Sequence, residues 1–393
     1  MQIRKLLQYF NVTFLVLLLN FQFLEFHIVS KLIIAWGISY LLLSWQNLNK
    51  INLKVFIPHL WVLPLFVSII YSTDYYYGFR KIINYLPLII FPLLLSLKNN
   101  NIEDKTYDIV RYIFPVGTIA FGLYVIFKIY YFFYDPYVIQ YGAPRFFEYL
   151  FFVYEHRFGY LVNKDEIEVF SQEFHKAYYS IALLISIILV STWSKRVFRF
   201  FTILITIVLL LIFKSIPAYF ALISIGIIFF YWKRKKKLLL ILSLFFLLII
   251  FIFKHELLHN FFETRALVYN CSLEMFLSEP IFGYGIGDVN NILEKCYLEK
   301  QCVSCIGLNS HNEFFNVALS SGLFGLILFV IFLFYSFKTA MKNIPLLAFL
   351  TIFSISFMFE NVLSRMWGVL MFSFFYSFFK ITMRGYLNIE KIK

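Results

Sequence analysis

Long apolar runs are the feature that most constrains this chain. Stretches of about 17 to 20 predominantly apolar residues recur along it, and a helix of that length crosses the hydrocarbon core of a bilayer. Of the 393 residues, 61% are hydrophobic and 15% are charged, which is not the composition of a soluble globular domain. The sequence therefore predicts an all-α fold, a polytopic transmembrane helical bundle.

About twelve spans are predicted, joined mostly by short polar connections. They lie near residues 6–24, 28–46, 55–72, 82–97, 109–133, 177–194, 198–213, 216–232, 238–253, 313–337, 345–361 and 366–381. Two connections are longer, at about 134–176 and 254–312. No internal repeat or separate soluble domain is evident in the sequence, so residues 1–393 are expected to form a single integral membrane domain.

Basic residues predict the orientation. A net charge of +13 could suggest a nucleic-acid partner, but the Lys and Arg residues form short clusters between apolar runs, such as Lys233–Lys237. With twelve spans these clusters fall on one side, which the positive-inside rule makes the cytoplasm. Both termini are then cytoplasmic, the two longer loops lie outside, and no nucleic acid is expected as a partner.

All four cysteines lie in the second outer loop, at Cys271, Cys296, Cys302 and Cys305. An even number confined to an oxidising compartment favours one or two disulfides, and the sequence leaves their pairing open. The alternative is a zinc site, because Cys302 and Cys305 have the spacing of metal ligands. A second closely spaced cysteine pair is missing, which favours disulfides.

A zinc-protease pattern, His-Glu-Leu-Leu-His, occupies residues 255–259. Two imidazoles one helical turn apart, with a glutamate as base, can serve a catalytic zinc ion. The pattern shows no third ligand and lies at the outer end of a span, where an ordinary charged exit turn explains it. A membrane zinc protease is a distant alternative, and no metal is expected.

Three glycines punctuate the segment Pro280–Gly287. Their spacing and context are not those of a dinucleotide site, which needs a preceding strand and a following helix. A tight backbone turn after Pro280 is predicted instead, because glycine tolerates positive φ.

Arg265 and His311 lie towards opposite ends of the second outer loop and are the candidate catalytic pair. Arginine carries a permanent charge on a planar group that fits phosphate oxygens, and histidine can accept a proton near neutral pH. The pair suits transfer from a lipid-linked phosphate, in which the cation holds the leaving group and the imidazole deprotonates a hydroxyl.

Other outward charges are weaker candidates. A cationic basin for a diphosphate could include Arg80, Lys81, Arg145 and Arg157. Interfacial snorkelling is the alternative for these residues, and it is favoured for Lys81 and Lys176. Glu360 and Arg365 flank the last outer turn at near-helical spacing. They are predicted to form a structural ion pair, since charges at membrane depth usually find a partner, and a catalytic carboxylate is the alternative.

Several segments together resemble the O-antigen ligase and polymerase superfamily. They are Arg265–Tyr269, Pro280–Gly287, His311–Asn316, Gly322–Gly325 and Glu360–Val369. The turn from Tyr71 to Asp74 that precedes Arg80 and Lys81, and the run His175–Tyr178, also look like family features. The resemblance is concentrated in the C-terminal part of the chain, and elsewhere it is one of topology.

This resemblance implies a bacterial inner-membrane glycosyltransferase that moves a glycan from undecaprenyl diphosphate at the periplasmic face. It implies that His311 is the base or orients the acceptor, that Arg265 binds the diphosphate, and that His175 and Asn312 are substrate-binding residues. It implies no metal, cofactor or nucleotide sugar. The expected partners are the lipid-linked glycan donor, a glycan acceptor and membrane lipids.

A ligase, whose acceptor is lipid A-core, is favoured because one late outer loop dominates and the chain is short. An O-antigen polymerase, which extends another lipid-linked chain, and a protein O-oligosaccharyltransferase are the alternatives within the superfamily. A transporter is the alternative outside it, but two related halves with broken or charged helices at mid-membrane are not evident in the sequence.

Overall fold

The computed structural model describes residues 2–46 except 21–23 and 25, then 57–97, 100–141, 175–232 except 214, and 257–382. Within these ranges the regular structure is entirely helical, which confirms the predicted all-α class. The α-helices are α1 (Gln2–Leu19), α2 (Phe26–Ser44), α3 (Leu63–Val67), α4 (Tyr75–Tyr85), α5 (Pro87–Ser96), α6 (Asn100–Tyr141), α7 (Lys176–Ser191), α8 (Arg196–Phe213), α9 (Ile216–Trp232), α10 (Leu257–Ser278), α11 (Val289–Glu299), α12 (Glu313–Ala340), α13 (Ile344–Phe359) and α14 (Met366–Ser377).

Four helical stretches of the described chain are long and apolar enough to cross a membrane. They are Tyr75–Ser96, which joins α4 and α5, Tyr107–Lys128 within α6, α8, and α12. Shorter apolar helices accompany them, at Ile28–Ser44, His59–Tyr71, Lys176–Ser191, Ile216–Phe229 and Ile344–Phe359. The described part of the chain therefore has the helices of a membrane protein.

The chain divides into two compact units, each built from two stretches of sequence. The first comprises residues 1–49 and 98–219, and the second comprises residues 50–97 and 220–393. In the first unit α1 packs on α2, while α7 packs on α6 and α8. Helix α7 is buried almost throughout, and the Tyr179 hydroxyl donates to the Thr118 carbonyl of α6 at 2.9 Å.

Helix α12 lies at the centre of the second unit. It packs against α3, α10, α13 and the 3₁₀ helix Ile57–Val62. The fully buried rings of Phe329 and Phe332 lie 4.7 and 5.8 Å from the ring of Trp61, centroid to centroid. Burial of such large aromatic surfaces is a major stabilising term, and here it anchors α12 to the helices around it.

A break interrupts α12 after two turns. Ser321 is non-helical, and Gly322 has φ of 66° and ψ of −165°. A Cβ atom at Gly322 would collide with the carbonyl oxygen of Ile281, so glycine serves both the positive φ and the close approach of the two backbones. The break separates the first part of α12, next to His311, from the longer apolar part.

The Pro280–Gly287 segment docks against this break. It forms the predicted turn, with positive φ at two of its glycines, Gly283 and Gly285. The backbone N–H of Tyr284 donates to the carbonyl of Leu319 at 2.8 Å, and that of Gly285 donates to the carbonyl of Ser320 at 3.1 Å. These carbonyls are thereby satisfied where the helix is interrupted.

Asp288, which follows the Pro280–Gly287 turn, forms hydrogen bonds to the residues just before α4. Its carboxylate, which is 5% exposed, accepts from the N–H and hydroxyl of Thr73, both at 2.6 Å, and from the N–H of Asp74 at 3.0 Å. Asp74 in turn caps α4 by accepting from the N–H of Tyr77 at 2.9 Å. Helix α4, which carries two of the candidate cations, is therefore held against the segment that follows α10.

Two disulfides stabilise the region between α10 and α12. Cys271 pairs with Cys296, and this buried bridge joins α10 to α11. Cys302 pairs with Cys305 across a single turn. Cys271, Cys296 and Cys305 belong to one small buried apolar cluster, and Cys302 packs against it.

Candidate active site

Arg265 reaches from α10 to the turn that follows α13. Its Nη2 atom donates to Oε1 of Glu360 at 2.9 Å and to the carbonyl oxygen of Phe359 at 3.1 Å. The side chains of Arg265 and Glu360 are each only 14% exposed, so this ion pair is largely removed from solvent. A charge-assisted hydrogen bond in such a place is strong and fixes both partners.

His311 lies immediately before α12, with a backbone φ of 45°. The Oδ1 atom of Asn309 accepts from its backbone N–H at 3.0 Å. Its Nδ1 atom lies 3.1 Å from Oε2 of Glu360, and the imidazole is 21% exposed. Because an ionised carboxylate can only accept, Nδ1 carries the hydrogen, and Nε2 of a neutral imidazole then carries the lone pair.

Glu360 thus bridges the two residues predicted from the sequence, one carboxylate oxygen to each. We call Arg265, Glu360 and His311 the ionic cluster. The prediction that Glu360 pairs with Arg365 is wrong, because Glu360 bonds to Arg265 and His311 whereas Arg365 is exposed at the start of α14. The helical spacing of Glu360 and Arg365 does not bring them together, since α13 ends at Phe359 and an extended residue follows.

Asn361 holds the backbone around His311. Its Oδ1 atom accepts from the N–H of Asn312 at 2.7 Å and from the hydroxyl of Ser310 at 3.0 Å, and the residue is 2% exposed. These bonds join the two neighbours of His311 to the residue that follows Glu360. The Asn361 amide therefore connects the segment of His311 to the segment of Glu360.

Glu313 makes a second connection between the same two segments. Its Oε2 atom accepts from the backbone N–H of Leu363 at 2.7 Å, and its Oε1 atom accepts from the side-chain amide of Asn316 at 3.1 Å. Glu313 is completely buried. Sequence reasoning did not single out this residue, although an acid at the start of a long apolar helix is itself an unusual signal.

Tyr269 lies one helical turn after Arg265 on α10, on the same face. Its hydroxyl donates towards the carbonyl of Met358 at 2.7 Å and that of His311 at 3.2 Å. Burial raises the pKa of the Tyr269 hydroxyl above its usual range, and the nearby Arg265 charge opposes this only in part. The hydroxyl therefore stays protonated, and remains a donor, at neutral pH.

Asn312 was predicted to bind substrate, and the structure gives its side chain a capping role. Its Oδ1 atom accepts from the N–H groups of Phe314 and Phe315 at 2.9 and 3.2 Å, which satisfies the first turn of α12. Its Nδ2 atom donates to the carbonyl of Met358 at 3.3 Å. A contact of Asn312 with substrate stays a prediction.

Two candidate cations lie on α4, in the same unit as the ionic cluster. The Arg80 guanidinium is 5.1 Å from the ring centroid of Tyr76, and the Lys81 ammonium is 5.2 Å from that of Tyr77. These are cation–π contacts, which leave the charge of each side chain in place. Binding of substrate by Arg80 and Lys81 stays a prediction.

The remaining candidates lie elsewhere. His175 directly precedes α7 in the first unit, with its ring 4.8 Å from that of Tyr178. Arg145 and Arg157 lie outside the described residues, as do His255 and Glu256 of the zinc-protease pattern. In the parts of the chain that the structure describes, no three His, Cys, Asp or Glu residues are grouped to hold a metal ion.

Comparison with known families agrees with the resemblance predicted from the sequence. Residues 201–330 match the family model of the O-antigen ligases, which confirms the likeness to the O-antigen ligase and polymerase superfamily. Members of this family are glycosyltransferase-like enzymes. The matched segment contains Arg265 and His311 and ends before Glu360. No curated protein matches the chain.

Proposed function

We propose that this protein is an O-antigen ligase-like glycosyltransferase that moves a glycan from undecaprenyl diphosphate to lipid A-core. The observation that carries the proposal is the position of Glu360, which bonds to Nδ1 of His311 and to Arg265 at once. Glu360 therefore holds a base, His311, next to a cation, Arg265. The match of residues 201–330 to the O-antigen ligases supports the class of reaction.

His311 acts as the general base. Its Nε2 atom takes the proton of an acceptor hydroxyl while the hydroxyl oxygen attacks the anomeric carbon of the glycan. The bond from that carbon to the diphosphate oxygen breaks, and undecaprenyl diphosphate leaves with the electron pair. Attack opposite the leaving group inverts the anomeric centre. Glu360 stabilises the imidazolium that forms, as a carboxylate does behind other catalytic histidines.

Arg265 stabilises the charge that develops on the leaving diphosphate. In the ionic cluster this guanidinium is paired with one carboxylate and one carbonyl. A diphosphate carries more negative charge than a single carboxylate and suits the planar fork of arginine, so it competes for the same guanidinium. Arg80 and Lys81 add positive charge in the same unit.

The predicted topology completes this proposal. Twelve spans, with both termini in the cytoplasm and loops 134–176 and 254–312 in the periplasm, would bring the ionic cluster to the periplasmic face of the inner membrane. Two disulfides in the second loop suit that oxidising compartment. The lipid-linked donor would then approach from the membrane and the acceptor from the same leaflet.

The test is transfer by purified protein in lipid nanodiscs, supplied with undecaprenyl diphosphate-linked glycan and lipid A-core. Wild type is expected to form glycosylated lipid A-core, and His311→Ala and Arg265→Ala are expected to form almost none. Arg365→Ala is the matched control, because this exposed arginine lies close in sequence to Glu360 but outside the ionic cluster. A longer lipid-linked chain as the product would identify a polymerase, and wild-type rates for His311→Ala would refute the mechanism.

A further inference from the structure

The Tyr269 hydroxyl lies between the two backbone segments that carry the base and its carboxylate. Its oxygen is 2.7 Å from the carbonyl oxygen of Met358, two residues before Glu360, and 3.2 Å from that of His311 itself. Helix α10 therefore contacts both segments through one atom. The ring of Tyr269 is placed independently, 5.8 Å from the ring of Phe315.

The backbone of His311 needs such a contact. A φ of 45° places this residue in the left-handed region, which residues other than glycine seldom occupy because it is strained. A residue in that region stays there only where neighbouring bonds hold it. The bond from Tyr269 reaches the carbonyl of the strained residue directly, while the bond from Asn309 holds its N–H.

We infer that Tyr269 is a positioning residue for glycan transfer, whose hydroxyl sets the contact between the imidazole of His311 and the carboxylate of Glu360. Without the hydroxyl, the His311 carbonyl loses this partner, and only the bonds from Asn309 and Asn361 still hold the strained backbone. The backbone is then expected to relax part of the way towards negative φ, which turns the carbonyl and shifts the side chain. The segment of Met358 loses its bond to α10 at the same time. The kinetic consequence rests on the proposed function.

The decisive variant is Tyr269→Phe, which removes one oxygen atom and keeps the ring. Tyr284→Phe is the matched control. The Tyr284 hydroxyl donates to the carbonyl of Met275 at 3.0 Å, and Met275 lies on α10 but outside the ionic cluster. Two quantities are measured in nanodiscs: the kcat and KM values for donor and acceptor, and the NMR resonance of the His311 Nδ1–H, assigned by its loss in His311→Ala.

For Tyr269→Phe we expect kcat to fall about tenfold, the effect of losing a hydroxyl that bonds to the segments of both the base and its carboxylate. Both KM values should stay within about twofold, since a positioning residue acts through His311 and Glu360 and not on the substrate. The Nδ1–H resonance should shift or broaden, while Tyr284→Phe should match wild type in every measurement.

Two results would overturn the inference. One is an unchanged kcat with an unchanged Nδ1–H resonance. The other is a higher KM for the acceptor with the resonance unchanged, which would make Tyr269 a binding residue. If wild type transfers no glycan, the proposed function fails, and the resonance alone still decides whether Tyr269 positions His311.

Discussion

The carboxylates of Glu360 and Glu313 both join the turn after α13 to the start of α12, but they do so through different donors. Glu360 accepts from a guanidinium and an imidazole and is 14% exposed. Glu313 accepts from a backbone N–H and a side-chain amide and is completely buried. The first carboxylate interacts with groups that carry or acquire charge, and the second interacts mainly with neutral groups.

This difference indicates which property of each carboxylate matters. A carboxylate that orients an imidazole and pairs with arginine needs its negative charge and its lack of a donor. A carboxylate that holds neutral N–H groups needs only its lone pairs, and burying its charge is costly. Glutamine keeps one acceptor oxygen and removes the charge. Its effects at positions 360 and 313 should therefore differ.

The largest effect is expected for Glu360→Gln. Glutamine can present its amide N–H₂ to Nδ1 of His311, so Nδ1 becomes the acceptor. The hydrogen of the neutral imidazole then lies on Nε2, and Nε2 can no longer accept a proton from the hydroxyl. By analogy with the carboxylate of serine-protease triads, kcat should fall on the order of 10²- to 10⁴-fold. Steady-state transfer assays measure this, and activity within twofold of wild type would remove Glu360 from the mechanism.

The next largest effect is expected for Glu313→Ala. The variant leaves the buried N–H of Leu363 without its acceptor, which should lower the free energy of unfolding by about 1–3 kcal/mol. Glu313→Gln should stay close to wild type in both thermal unfolding and kcat. Its oxygen can accept from the N–H of Leu363, and its amide can donate to Oδ1 of Asn316 once the Asn316 amide turns over. Loss of transfer by a well-folded Glu313→Gln protein would show instead that its charge serves the reaction.

A smaller effect is expected for Arg265→Lys. Lysine keeps the charge but not the planar fork that contacts Glu360 and a diphosphate, so transfer should fall about tenfold or more without loss of folding. Initial rates over a range of donor concentrations measure the change. An unchanged kcat/KM for the donor would contradict a role for the guanidinium geometry.

The smallest effect is expected for Lys300→Ala. Lys300 pairs with Glu274 at 2.7 Å, but the two side chains are 40% and 52% exposed, so water and salt screen the pair. Removing it should change the free energy of unfolding by less than about 0.5 kcal/mol, measured by thermal unfolding. A cost as large as that of Glu313→Ala would show that burial does not distinguish these charges.

Much of the fold was predictable because it depends on local pattern. Runs of apolar residues predicted membrane-spanning helices, and the structure has such helices in α8 and α12. The Pro280–Gly287 turn followed from the tolerance of glycine for positive φ. The break in α12 was not predicted, because it is made by a backbone from another part of the chain that approaches Gly322.

The sequence by itself determined the helical class and, through residue type and family likeness, the choice of Arg265 and His311. Only the tertiary structure decided that Glu360 connects them, since its partners lie 95 and 49 residues away. The same holds for the pairing of the four cysteines. Helix formation responds to neighbouring residues, whereas the partner of a buried charge depends on which segments pack together, and packing is a property of the whole unit.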